Sequence, residues 1–162
     1  MFQRGSWRNY EATIRSLIDK LRSVKNQLNL IKIEPKTKIN GVSGTIWEID
    51  GIGYDADDNL VPIECKLRSK YKISQSILAS FAYIIKDIGA TRGIIVTPIG
   101  LQKGAKKIAE HENIEVITLN QNATSNEFDL VLPDRRQHHL GLHAVGRLED
   151  EVHLVNLSNN TE

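Results

Sequence analysis

The sequence predicts an α/β fold built on a mixed β-sheet flanked by helices. Three observations lead there. Residues 47–67 hold two apolar-rich strands joined by a polar turn, which reads as an antiparallel hairpin. Residues 74–119 then alternate helix, strand, helix and strand, an order that implies right-handed crossovers and helices on the faces of the sheet. The segment Gly93-Ile-Ile-Val-Thr97 is a continuous β-branched run, as expected of a strand buried on both faces.

Each element has a local signature. Over 6–26, Trp7, Tyr10, Ile14, Leu17, Ile18, Leu21 and Val24 recur at helical spacing, and Ser6 is the expected cap. Glu11 lies at the margin of that apolar face. It either pairs with Arg15 one turn on or is a carboxylate aimed at a site. Residues 28–38 alternate and are rich in lysine, which predicts an edge strand guarded against further pairing by Pro35 and its lysines. The run Asn40-Gly41-Val42-Ser43-Gly44 is a loop that either closes a hairpin or approaches DNA. Asp57-Asp58-Asn59 supplies the next turn, because short polar side chains bond their own backbone. A strand over 60–67 follows.

Ser74 is placed to cap a helix whose Ile77, Leu78, Phe81, Ala82, Ile84, Ile85 and Ile88 form a broad apolar face, with Gly89 ending it. A second amphipathic helix over 101–110 turns Lys103, Lys106 and Lys107 outward, and a strand covers 114–119. Beyond 120 the signals weaken to a short strand over 128–132 and a hairpin of 139–148 with 152–157. The expected division is a core over 1–120, a small C-terminal β-rich extension of the same domain over 121–157, and a disordered tail over 158–162. His138, His139, His143 and His153 match no zinc spacing and belong on a polar strand face.

Composition narrows the function classes. At 162 residues, 40% hydrophobic and 25% charged, the chain fits one globular domain. A net charge of +1 excludes a strongly basic nucleic-acid coat protein, but not an enzyme whose acidic site offsets a local basic patch. One cysteine excludes an intrachain disulfide and a cysteine-based zinc site. No apolar run approaches the roughly 20 residues of a membrane span. The N-terminal segment lacks the apolar core of a signal peptide. The expectation is a soluble, cytoplasmic protein with no membrane partner.

The chemistry gathers on the central hairpin. Strand side chains alternate, so Glu64 and Lys66 point one way while Ile63, Cys65 and Leu67 point the other. Asp50 lies on the neighbouring strand. Two carboxylates held close repel unless a cation neutralises them, and Mg²⁺ needs only one or two carboxylates because it keeps several waters. Such an ion acidifies water and stabilises charge on phosphate, and an adjacent lysine orients or deprotonates that water. This is the working part of a phosphodiester-cleaving site. Next come Arg68, Lys70 and Lys72, which with Lys66 put four cations within seven residues around Tyr71, well placed for phosphates. Gln75 opens the following helix near the end of the Glu64 strand. Each residue also has an ordinary reading: a solvated Glu-x-Lys pair, a solvated basic loop, a polar first-turn glutamine.

Taken together, Tyr10-Glu11, Glu48-Ile49-Asp50-Gly51, Ile63-Glu64-Cys65-Lys66, Gln75 and Gly89-Ala-Thr-Arg-Gly-Ile-Ile-Val-Thr97 resemble the PD-(D/E)xK nuclease superfamily, and within it the Mrr-like restriction endonuclease domain. The resemblance spans about residues 10–119. It implies a restriction-endonuclease-like core and a Mg²⁺-dependent DNA endonuclease, with Mn²⁺ able to substitute. By the same likeness Asp50, Glu64 and the backbone carbonyl of Cys65 are metal ligands, Lys66 acts on the nucleophilic water, and Glu11 and Gln75 are accessory site residues. The chain departs from the pattern where many members carry a further acid before the aspartate: Ile46 and Trp47 stand there, with Glu48 nearest. A separate DNA-recognition domain is not evident, so target choice is expected from a homodimer, a partner protein or a structured substrate. Two alternatives share the core: a Holliday-junction resolvase, and a catalytically inert DNA-binding or assembly subunit.

Overall fold

The apolar stripe Ile14, Leu17, Ile18 and Leu21 places the first helix, α1 (Arg4–Ser23), by burying itself against the sheet. The structure is a computed structural model that describes residues 4–67, 70–120 and 129–132. All of these fall in one compact unit, Met1–Leu132. The helix already runs through Ser6, so that serine is inside it and not its cap. It also stops short of Asn26. The chain tightens into a 3-10 turn, Lys25–Leu28, and leaves through Asn29 at φ 51°. Arg92 holds that exit from across the fold, donating to the carbonyls of Leu28 at 3.0 Å and Asn29 at 3.2 Å. This anchoring delays the first strand to β1 (Lys32–Asn40).

Five further strands complete a six-stranded sheet in chain order: β2 (Ile46–Tyr54), β3 (Leu60–Cys65), β4 (Gly93–Thr97), β5 (Ile114–Asn120) and β6 (Asp129–Val131). The β1–β2, β2–β3 and β5–β6 pairs are antiparallel; β3–β4 and β4–β5 are parallel. The sheet is therefore mixed, with β1 at its edge as the lysines and Pro35 predict. Helices α2 (Gln75–Asp87) and α3 (Lys103–His111) make the two parallel crossovers. Residues 121–128 and 133–162, with the C-terminal histidines and the expected hairpin and tail, lie outside the described residues.

Two apolar layers sandwich the sheet. On one face α1 meets Ile33, Val61, Ile63, Ile94 and Val96. On the other, Leu78, Phe81 and Ile85 of α2 and Ala105 and Ala109 of α3 meet Ile95 and Ile114. Every residue of β4 is buried, which explains its unbroken apolar run. Gly51 and Gly53 let α1 and its exit approach β2. A Cβ at these positions would lie 2.6 Å from Ile18 and 2.7 Å from Leu30.

The β1–β2 ribbon connects the two layers. Ile33 packs beneath α1, while Ile49, with Ile39 and Trp47 beside it, packs beneath α2. Odd-numbered residues share one side of each strand, so the ribbon must turn that side from one layer to the other. Two-stranded ribbons twist more than wide sheets, and this one is released from β3 beyond the pair Gly51–Ile63. On the opposite side Lys36, Lys38 and Glu48 are exposed, Asp50 is half-buried and Ile52 is buried.

Turn chemistry refines two expectations. Asp55 organises the β2–β3 turn, accepting the N–H groups of Asp57 at 3.0 Å and Asn59 at 2.9 Å. Ser74 stands at the cap position of α2 without a side-chain cap bond; its hydroxyl meets that of Ser76 at 2.9 Å.

Candidate active site at the fork between β2 and β3

Main-chain pairing of β2 with β3 runs from Tyr54–Leu60 to Gly51–Ile63. The next residue on each strand is an acid: Asp50 on β2 and Glu64 on β3. Both sit where the strands fork. Asp50 bends across the gap, its Oδ2 accepting the Cys65 N–H at 2.9 Å. Period-two alternation then brings Lys66 alongside Glu64, with Nζ 2.5 Å from Oε1. Strand β3 ends at Cys65, earlier than the expected 67, yet the Lys66 N–H still donates to the Val96 carbonyl at 2.8 Å. That bond keeps Lys66 in register with β4.

The site is half-buried. Glu64 exposes 20% of its side chain and Lys66 38%. Burial raises the Glu64 carboxyl above the ordinary glutamate range; the Lys66 ion pair opposes this, and the nearby Asp50 charge adds to it. Burial likewise pushes the Cys65 thiol well up, so its sulfur is inert and only its backbone serves the site.

The oxygens present suit a hard divalent cation. Among the described residues no group of three or more His, Cys, Asp and Glu side chains is arranged to hold a metal. The oxygens that could hold one are the second Asp50 oxygen, a Glu64 oxygen and the Cys65 carbonyl. Two carboxylates and a carbonyl match an ion that takes oxygen ligands and retains several waters. A cation would also relieve the repulsion felt by Glu64. Tyr10 of α1 donates its hydroxyl to the Cys65 carbonyl at 3.2 Å. A carbonyl oxygen has two lone pairs, so one remains for a metal while Tyr10 holds the group in place. Sequence reasoning noted Tyr10 only as a neighbour of Glu11 and as part of the apolar stripe.

The other expected site residues have separate surroundings. Glu11 is exposed on α1, and its charge, with that of Asp50, raises the pKa of Lys36 after the larger effect of Glu48. Gln75 opens α2 with its carboxamide laid over α3: a Cβ on Gly104 would fall 2.2 Å from its Oε1. Lys70 and Lys72 are exposed, as is Tyr71 between them. Arg68 lies outside the described residues.

Asp87, which sequence reasoning passed over, ties the ribbon tip to α2. Its carboxylate accepts the Ser43 N–H at 2.8 Å, the Ser43 hydroxyl at 2.7 Å and the Trp47 indole N–H at 2.6 Å. Its main-chain carbonyl accepts the Val42 N–H at 2.8 Å. The loop over 40–44 is thus an anchored hairpin connection. An acid in the last turn opposes the helix dipole, and that anomaly was the available sequence signal.

Comparison with known proteins agrees with this architecture. A protein of unknown function described as AF1548 shares the fold at a TM-score of 0.52 and 19% identity, over 66% of this chain and 56% of that one. A repair endonuclease from Pyrococcus abyssi aligns at 26% identity and a TM-score of 0.42, over 68% and 46%. EndoMS in its apo form aligns at 24% and 0.40, over 70% and 47%. The chain therefore spans about half the length of these solved structures. No curated protein matches the sequence. The family model Mrr_cat, described as restriction endonuclease, matches residues 3–124. With most of its length covered by that match and its strands, helices and acidic fork arranged as described, the chain belongs to the Mrr-type restriction endonuclease family.

Proposed function

We propose that the domain is a Mg²⁺-dependent endonuclease that hydrolyses phosphodiester bonds in DNA, with Mn²⁺ able to replace Mg²⁺. The observation that carries the reading is the convergence of Asp50, Glu64, the Cys65 carbonyl and Lys66 at one fork in the sheet. Packing does not require it: a half-buried acid pair costs stability unless a cation is part of the design. Asp50, Glu64 and the Cys65 carbonyl would hold the ion, which when bound supplies Lewis acidity and neutralises phosphate charge.

The remaining work falls to the chain. Tyr10 keeps the carbonyl aimed. Lys66, charged and paired with Glu64, orients the attacking water and stabilises charge building on the phosphate. The water oxygen bonds to phosphorus as the opposite P–O bond breaks; the water gives a proton to solvent and the departing oxygen takes one up. Glu11 and Gln75 are accessory groups, and Lys70 and Lys72, with Arg68, contact flanking phosphates. Target choice comes from a second copy of the chain or from a partner protein.

The test incubates the protein with linear duplex, single-stranded and four-way-junction DNA in Mg²⁺, Mn²⁺ or EDTA, beside Glu64→Ala. Expected is cleavage in either metal, abolished by EDTA and by the substitution. Cleavage persisting in EDTA, or no cleavage of any DNA, overturns the proposal.

A further inference from the structure

We propose that Lys36 and Lys38, exposed on the β1–β2 ribbon, form a phosphate-binding track for duplex DNA, and that Glu48 occupies this track as a built-in stand-in for phosphate. The inference rests on the endonuclease reading and adds a contact surface to the basic residues Lys70 and Lys72.

Register establishes the track. Between the pairs Pro35–Gly51 and Thr37–Ile49, Lys36 stands opposite Asp50; Lys38 pairs directly with Glu48. Lys36, Lys38 and Asp50 thus share one side of the ribbon, with the two lysines spaced by about 6.8 Å, two residues of strand rise. A duplex is far wider than this site, so a strand with its scissile phosphate at Asp50 and Glu64 lays neighbouring phosphates over β1.

Lys36 already holds an anion. Lys36 Nζ lies 2.6 Å from Glu48 Oε1, in a pair whose side chains are 45% and 51% exposed. A carboxylate paired with Lys36, on the residue that Lys38 faces across the ribbon, stands where a phosphate could meet both lysines. Exposed pairs of this kind are weak and exchange readily for a doubly contacted phosphate. Glu48 also draws Lys36 along the ribbon toward the tip, away from Asp50.

The track is presented rigidly. Asp87 holds Ser43 and Trp47, and through them the ribbon tip, on the end of α2. Lysines on an anchored strand lose less freedom on binding than lysines on a free loop.

The test measures anisotropy of a labelled duplex in Ca²⁺ across a salt series, for wild type, Lys36→Gln/Lys38→Gln and Glu48→Gln, with cleavage in Mg²⁺ run alongside. The double variant is expected to bind at least about tenfold more weakly, with a salt slope shallower by about 2, one for each lost phosphate contact. Glu48→Gln is expected to bind at least about threefold more tightly, since it frees Lys36 and removes the negative charge opposite Lys38. Removal of a merely structural ion pair would not raise affinity. A wild-type slope in the double variant, or no tightening by Glu48→Gln, overturns the inference and leaves the endonuclease reading standing. A wild type that neither binds nor cuts DNA overturns both. All three residues are exposed, and matched melting curves establish that the variants are folded.

Discussion

Oδ2 of Asp50 accepts the main-chain N–H of Cys65 at 2.9 Å, so a side chain closes the sheet where β2 and β3 part. In the proposed mechanism the other oxygen of this carboxylate would hold the metal. Asp50 thus has a structural contact beside its proposed chemical role, and substitutions can separate the two. Asp50→Ala leaves the N–H of a buried residue without its acceptor, at a cost of about 1–3 kcal/mol. Asp50→Asn keeps an amide oxygen and removes the charge. Both variants should lose cleavage, but only the alanine variant should melt clearly earlier in EDTA. Equal melting of the two would refute the structural duty.

Glu64 has the opposite stability signature. Burial raises its folded pKa, so the stability it contributes is present below the ordinary glutamate range and is lost as pH rises through the folded pKa. At neutral pH without metal, Glu64→Gln should therefore be more stable than wild type, and the gap should close as pH falls through that folded pKa. Lys66 loses its partner in this variant at little cost, because it is 38% exposed. A divalent cation should stabilise wild type by about 2.7 kcal/mol at a hundred times its Kd, and the glutamine variant far less. Melting curves from acid to neutral pH, with EDTA and with Ca²⁺, check both statements; a gap that widens in acid would contradict them.

Lys66 distinguishes an active nuclease from an inert relative. Removing a charge-stabilising group at a reacting centre costs about a hundredfold or more. Lys66→Ala should lose at least that much in single-turnover cleavage while still binding DNA in Ca²⁺. Lys66→Arg should not restore the rate, because a planar guanidinium replaces a compact ammonium. Near-normal cleavage by Lys66→Ala would reduce the Glu64–Lys66 pair to a surface ion pair.

Asp87 governs the ribbon tip. The Trp47 indole, then Ser43, hold its carboxyl below the ordinary aspartate range against the opposing effect of burial. Its stability contribution is thus present above that range and lost as pH falls through the folded pKa. Asp87→Ala should lower Tm at neutral pH, with the difference from wild type shrinking in acid. Gly41→Ala should disturb the same lock, because its Cβ would fall 1.8 Å from Asp87 Oδ2 and 2.9 Å from Trp47 Nε1. Thermal melts with tryptophan fluorescence report both; a Gly41→Ala protein indistinguishable from wild type would show that the tip yields freely.

Much of the fold was legible in the sequence because it depends on period and burial. Alternation put Glu64 and Lys66 on one side of β3, and the continuous apolar run of β4 announced a strand covered on both faces. Apolar spacing identified α1, α2 and α3, although the ends of α1 moved inward or outward with contacts such as Arg92 on the Leu28 and Asn29 carbonyls. The candidate site residues were legible as residue types at a spacing. Their contacts with distant residues, such as Asp50 with the Cys65 N–H, were not.

What tertiary structure alone decided are the relationships between distant segments. Local pattern specifies which way a side chain points from its own strand, but it carries neither register nor twist. The fork that brings Asp50 to Cys65 arises because the β1–β2 ribbon twists away from β3. The row that sets Lys36 opposite Asp50 follows from the hairpin register, and sequence alone read that lysine as an edge guard. Tyr10 reaches Cys65 across 55 positions, and Asp87 reaches Ser43 across 44. Such partners are chosen by how two apolar layers close on one sheet, a collective property that no short window of residues contains.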